Sequence, residues 1–171
     1  MSLQAGEPYP ELMQAHMREA LGLADRAAAM GEVPVGAIVV LGDTVIGRGH
    51  NRQIIDNDPS SHAEVVALRA ASASVDNYRL SGAVLYSTIE PCTMCLGACI
   101  HARVAQIVYG APEPRAGAIA LLDQPHLSAQ RFNHIPAVIS GCLATECSDR
   151  IKDFFRQRRL AAEASSNQGD S

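Results

Sequence analysis

Residues 84–109 read VLYSTIEPCTMCLGACIHARVAQIVY, and the fold turns on how this stretch is read. Val84 to Ile89 is an apolar run of strand length, and Val104 to Tyr109 is another. Between them, Pro91 suits the opening of a helix, where its missing N–H costs nothing, and the helix would run to about Ala102. The result is a strand-helix-strand unit, which leans towards an α/β fold.

Working outward, the polar stretch Asn51 to Ser61 contains Asp58-Pro59 and ends in Ser60-Ser61. These serines are suitable N-caps for a helix from Ala63 to Ala73, which places His62 and Glu64 in a first helical turn. Before it, Val35 to Leu41 and Thr44 to Gly49 flank the turn signal Gly42-Asp43 and predict an antiparallel hairpin. An amphipathic helix from about Glu11 to Met30 carries Met13, Met17, Ala20, Ala24 and Ala27 at helical spacing and stops at Gly31. Downstream come a Gly/Pro-rich loop from Gly110 to Gly117, the apolar Ile119 to Leu122, a short run Ala137 to Ile139 and a helix from about Thr145 to Leu160. The expected organisation is an extension at 1–10, one domain at 11–160 and a disordered polar tail at 161–171.

A chain of 171 residues, 47% apolar but only 4% aromatic, has enough material for one core, and its alanine content favours closely packed helices over an aromatic-rich sandwich. No signal-peptide pattern opens the chain and no apolar run is long enough to cross a bilayer, so a soluble cytoplasmic protein is expected. Five cysteines, an odd number, then read as metal ligands or buried thiols, with Cys99, Cys142 and Cys147 the buried ones. A net charge of −4 argues against a broad grip on nucleic acid. Arg150, Lys152, Arg156, Arg158 and Arg159 nevertheless gather around the single Asp153, which on spacing alone is a solvated helix end.

Cys92 and Cys95 are three residues apart just after Pro91, so in a first helical turn both sulfurs face one side, near free backbone N–H groups that favour thiolates. Among the histidines and remaining cysteines, His62 is distinguished by Glu64 two residues on, also at a helix start. If the two helix N-termini converge, His62, Cys92 and Cys95 can surround one zinc ion and leave its fourth position to water, the mark of a catalytic site. The metal then lowers the water pKa to roughly 7, and Glu64 is placed to move the proton. His-x-Glu followed by Pro-Cys-x-x-Cys is the signature of zinc nucleobase deaminases.

On these residues the chain resembles the cytidine deaminase-like superfamily and, within it, the bacterial tRNA-specific adenosine deaminases that make wobble inosine. The likeness extends through Glu-Val-Pro-Val-Gly-Ala at 32–37, Asn51-Arg52, His62-Ala63-Glu64, Asn77-Tyr78-Arg79-Leu80, Glu90 to Cys95 and Phe154-Phe155-Arg156, or roughly residues 11–160. The resemblance implies a three-layer α/β/α fold with a five-stranded mixed sheet. It makes His62, Cys92 and Cys95 the ligands of one Zn2+ per subunit and Glu64 the proton shuttle. It also implies that Asn51 hydrogen-bonds the purine, Val33 packs on its face, the Ala63 backbone holds the reacting edge and Pro91 adjoins the substrate. The substrate implied is the anticodon stem-loop of an arginine tRNA, bound by a homodimer. Arg150, Lys152, Phe154, Phe155, Arg156 and Arg158 become candidate RNA contacts. The family usually has Asp and Lys where this chain carries Glu113 and Arg115.

Two other readings use the same residues. One is a deaminase of a free base or nucleoside, guanine or cytosine, sharing the zinc chemistry and differing only in pocket contacts. The other is a non-enzymatic zinc or RNA-binding module, in which Cys99, His101 or Cys142 supplies a fourth protein ligand.

Overall fold

The computed structural model describes residues 9–124 and 132–166. In chain order the elements are α1 (Glu11–Ala29), β1 (Gly36–Leu41), β2 (Thr44–His50), α2 (Gln53–Asp56), α3 (Ala63–Ser74), β3 (Val84–Ile89), α4 (Thr93–His101), β4 (Gln106–Ala111), a 3-10 turn (Ile119–Asp123), β5 (Ala137–Ser140) and α5 (Ala144–Ser166). The five strands form one sheet in the order β2-β1-β3-β4-β5. β1 runs antiparallel to β2 and β3, whereas β3, β4 and β5 are parallel. The sheet is therefore mixed, and the parallel half is the strand-helix-strand unit of residues 84–109.

Side-chain alternation along the strands builds two cores. Val39, Leu85 and Ile107 join Ala63, Ala67, Leu68 and Ala71 of α3 and Leu96, Cys99 and Ile100 of α4 on one face. Ile38, Val40, Tyr86 and Val108 pack against Met17, Ala20, Leu21 and Cys147 on the other. This is the α/β/α arrangement, each sheet face drying one layer of helices. Cys99, Cys142 and Cys147 are all buried thiols.

Three differences from the sequence reading have local causes. The polar stretch after Asn51 contains the one-turn helix α2, too short to show periodicity. α4 begins at Thr93 with Cys92 as its N-cap, because Pro91 belongs to the extended segment leaving β3. α5 continues to Ser166, exposed over residues 161–165, beyond the Leu160 expected and into the stretch read as a disordered tail. Both Ala161 and Ala162 favour helix, so nothing in that sequence stops it.

The helices come unusually close to the sheet at glycines. A Cβ on Gly49 would lie 2.2 Å from the Ala63 carbonyl oxygen and 2.5 Å from the Ala67 nitrogen, so α3 packs directly on the β2 backbone. Gly49→Ala must push the start of α3 outward. The expected cost is roughly 2–3 kcal/mol, read as a lower thermal midpoint; an unchanged midpoint would show that α3 can shift freely.

Candidate active site

β1 lies between β2 and β3 in the sheet, and the N-termini of α3 and α4, which follow those two strands in the chain, meet at one site. His62 is the N-cap of α3 and Cys92 that of α4. The Cys92 and Cys95 sulfurs are 3.6 Å apart, and the His62 Nδ1 lies 3.8 Å from the first and 3.6 Å from the second. A tetrahedral zinc with bonds of roughly 2.3 Å to sulfur and 2.0–2.1 Å to nitrogen requires ligand separations of about 3.5–3.8 Å. The triad fits that ion. Among the described residues no other His, Cys, Asp or Glu joins this cluster. Cys99 is sealed in the α3–α4 core, Cys142 lies in the core on the opposite sheet face, and His101 ends α4. Among the described residues the candidate set is therefore three protein groups, two of which, His62 and Cys92, line an open cavity.

The electrostatics suit this role. The Cys95 thiol and the His62 ring both hydrogen-bond Cys92 and pull its pKa down to about 3. The same hydrogen bond between the two sulfurs, together with burial, pushes the Cys95 thiol up. The hydrogen bond to Cys92 raises His62. The cluster thus holds protons that a divalent metal releases when it takes all three ligands.

Glu64 is only 2% exposed. Burial pushes its carboxyl above the usual range, and the Ser87 hydroxyl donates to its Oε1 at 3.4 Å. A carboxyl whose anion is disfavoured in this way is suited to accept a proton and to return it. It opens, with His62, Cys92 and Asn51, onto a cavity of about 200 Å³ also lined by Val33, Val35, Gln53, Ile89, Glu90, Glu113 and Ala116. That volume is below the range typical of drug-sized ligands and admits something of the scale of a single base.

Asn51 has two structural jobs here. Its Oδ1 accepts the Ala63 N–H at 2.9 Å, and its Nδ2 donates to the Val33 carbonyl at 3.2 Å. α3 is therefore capped from the end of β2. Ser60 and Ser61, the expected caps, instead donate to the Asp58 carboxylate. The Ala63 N–H is engaged by this cap, and Pro91 is buried with its carbonyl accepting the Ala118 N–H at 3.0 Å. Val33 and Asn51 line the cavity. Asn51→Ala removes the cap and the anchor together, and we expect a loss of roughly 1–2 kcal/mol in thermal unfolding of the metal-loaded protein. An Asn51→Ala protein that melts with the wild type would refute the capping role.

Glu32 was missing from the sequence reading as a site residue, as was Glu90. Glu32 is almost fully buried, and its Oε1 accepts the N–H groups of Ile54 and Ile55 at 2.8 and 2.9 Å, fixing α2 beside the cavity. Both carboxylates belong to stretches that carry the family likeness, but local spacing does not disclose what they bind. Their partners lie more than twenty residues away in sequence.

The candidate RNA contacts all lie on α5. Arg150 pairs with Asp25 at 2.9 Å and Arg156 with Asp153 at 2.9 Å. The Arg158 guanidinium lies 5.5 Å above the ring of Phe154, which is buried, whereas Phe155 and Lys152 are exposed. A groove between α1 and α5, lined by Arg150, Phe154 and Arg158, also includes Pro34. The groove and the cavity share no lining residue, but Pro34 of the groove lies in sequence between Val33 and Val35 of the cavity wall.

Comparison with known proteins agrees with this geometry. Residues 10–111 match the family model of the cytidine and deoxycytidylate deaminase zinc-binding region. The chain is 43% identical over 159 residues to the tRNA-specific adenosine deaminase of Haemophilus influenzae, covering 92% of this chain and 91% of that protein. It is similar, with a TM-score of 0.74 and 38% identity, to a chain solved in studies of A-to-I editing by tRNA:A34 deaminases at the wobble position of transfer RNA, covering 80% of this chain and 98% of that one. A guanine deaminase from Bacillus subtilis matches with a TM-score of 0.56 and 37% identity, over 58% of this chain and 64% of that one.

Proposed function

The chain belongs to the cytidine and deoxycytidylate deaminase zinc-binding family, and on that premise we propose that it hydrolyses wobble adenosine to inosine in the anticodon loop of an arginine tRNA. The observation that carries the reading is the convergence of His62, Cys92, Cys95 and Glu64 on one base-sized cavity. His62, Cys92 and Cys95 hold one zinc ion per subunit. When bound, it supplies a water that is acidic enough to react at neutral pH.

The chain's own residues do the rest. Glu64 takes the proton from the attacking water and gives it to N1 of the base as the new bond forms at C6. The same carboxyl then takes the proton of the new C6 hydroxyl and passes it to the departing amine, so that ammonia leaves and the C6 carbonyl of inosine forms. Asn51 offers its remaining amide hydrogen to the purine, and Val33 packs against it. An unpaired loop base costs little to extrude, which suits a small cavity on an acidic protein. The basic face of α5, whose groove is joined to the cavity wall along the chain at Pro34, supplies phosphate and stacking contacts.

The choice of base and of RNA rests on the relatives, whose match to this chain is longer for the tRNA:A34 deaminase structure than for the guanine deaminase. An apolar groove between α3 and α4, lined by Val65, Leu68, Tyr78 and Ala98, supports a homodimer in which a second copy covers it. The experiment is inosine formation on an arginine tRNA stem-loop with an ACG anticodon, beside a copy with another wobble base and beside free adenosine, guanine and cytosine. Inosine only from the wobble adenosine is the expected result. Faster turnover of a free base would replace this reading with that of a free-base deaminase.

A further inference from the structure

We propose that Glu90 is a positioning residue that hangs one wall of the cavity from the metal-binding segment, and so sets which substrates reach the zinc site. The wall is the loop at 112–119, which contributes Glu113 and Ala116 to the cavity. Glu90 Oε2 accepts the N–H of Glu113 at 3.1 Å, and Oε1 accepts the N–H of Ile119 at 3.2 Å. Its own N–H donates to the Ala111 carbonyl at 2.8 Å. The next two residues continue the seam: the Pro91 carbonyl accepts the Ala118 N–H, and Cys92 forms an isolated antiparallel bridge with Gly117.

The loop closes over the carboxylate itself. Gly117 donates to the Glu113 carbonyl at 2.8 Å, and a Cβ at Gly117 would stand 2.4 Å from the Glu90 carboxyl carbon and 2.5 Å from the Glu113 carbonyl oxygen. Both ends of the loop are thus tied to one half-buried side chain two residues before Cys92. Moving the carboxylate moves the wall relative to the metal ligands. A neutral amide cannot replace it, since Gln offers one acceptor oxygen and turns N–H donors towards the second backbone N–H.

The specificity role rests on the function proposed above; the clamp does not. Glu90→Gln is close to isosteric, and we expect it to fold and bind zinc stoichiometrically. Amide exchange at Glu113 and Ile119 should accelerate by about tenfold or more, the effect of losing one charge-assisted hydrogen bond. On the stem-loop, KM should rise about tenfold while kcat changes less than about threefold, because the wall acts on substrate placement and leaves the proton shuttle intact. Gly117→Ala should reproduce this split by displacing the same loop.

Unchanged amide exchange in Glu90→Gln would overturn the clamp. Faster exchange with an unchanged stem-loop KM would overturn the specificity role, as would loss of zinc from the variant. A wild-type protein that never forms inosine would sink the proposed function, while the exchange comparison would still decide the clamp.

Discussion

Glu64→Gln yields a folded, zinc-loaded protein that deaminates the ACG stem-loop at least about a thousandfold more slowly than the wild type. The magnitude follows from the role of the group. Proton transfer by a positioned side chain contributes roughly 10²–10⁴ in rate, and here one carboxyl serves both the water and the leaving amine. Glutamine fills the same buried volume but cannot accept the water's proton. Glu64 is outside the ligand cluster, so zinc content stays at one per chain. Because the change also removes a buried carboxyl that burial already disfavours as an anion, the thermal midpoint does not fall. Single-turnover inosine formation and elemental analysis of the same preparation check both halves. A variant within tenfold of wild-type activity would remove Glu64 from the chemistry.

Cys92→Ala behaves differently, losing metal, activity and stability together. Two ligands remain, and the thiolate that Cys95 and His62 hold down to about 3 is gone. Since metal binding free energy is also folding free energy, the thermal midpoint should drop by roughly 10 °C or more, the equivalent of several kcal/mol in a domain of this size. Cys99→Ala is the control. Its sulfur is fully buried on the same helix, four residues after Cys95, and burial pushes that thiol up. It should keep zinc and lose only about 1 kcal/mol of packing. Stoichiometric zinc in Cys92→Ala, or zinc loss in Cys99→Ala, would contradict the ligand assignment. The second result would revive a site closed by four protein ligands, in which no water could react.

The physical contrast between these two cysteines was legible early. Cys92 and Cys95 share a helix start, whereas Cys99 continues the apolar face of α4. The strands of residues 84–109 and the hairpin before them were likewise readable, because alternation and turn residues act over a few neighbours. The start of α3 was placed correctly, but its cap was not. Ser60 and Ser61 were nearer in sequence, yet Asp58 engages them, and Asn51 reaches Ala63 from the end of β2.

What the sequence by itself determined was the chemical inventory: a His-x-Glu and a Pro-Cys-x-x-Cys, each at a helix start, with ligand types that suit zinc and a carboxyl to move protons. Only the tertiary structure decided that side chains from these two helix starts come within 3.8 Å of one another, that three candidate ligands and not four assemble among the described residues, and that Glu32 and Glu90 hold the flanking loops. The reason is one of range. Spacing along a helix constrains side chains a turn apart, but His62 meets Cys92 across thirty residues through the sheet order β2-β1-β3-β4-β5. Carboxylates that bond backbone N–H groups leave no pattern in sequence at all, since every non-proline residue offers the same donor.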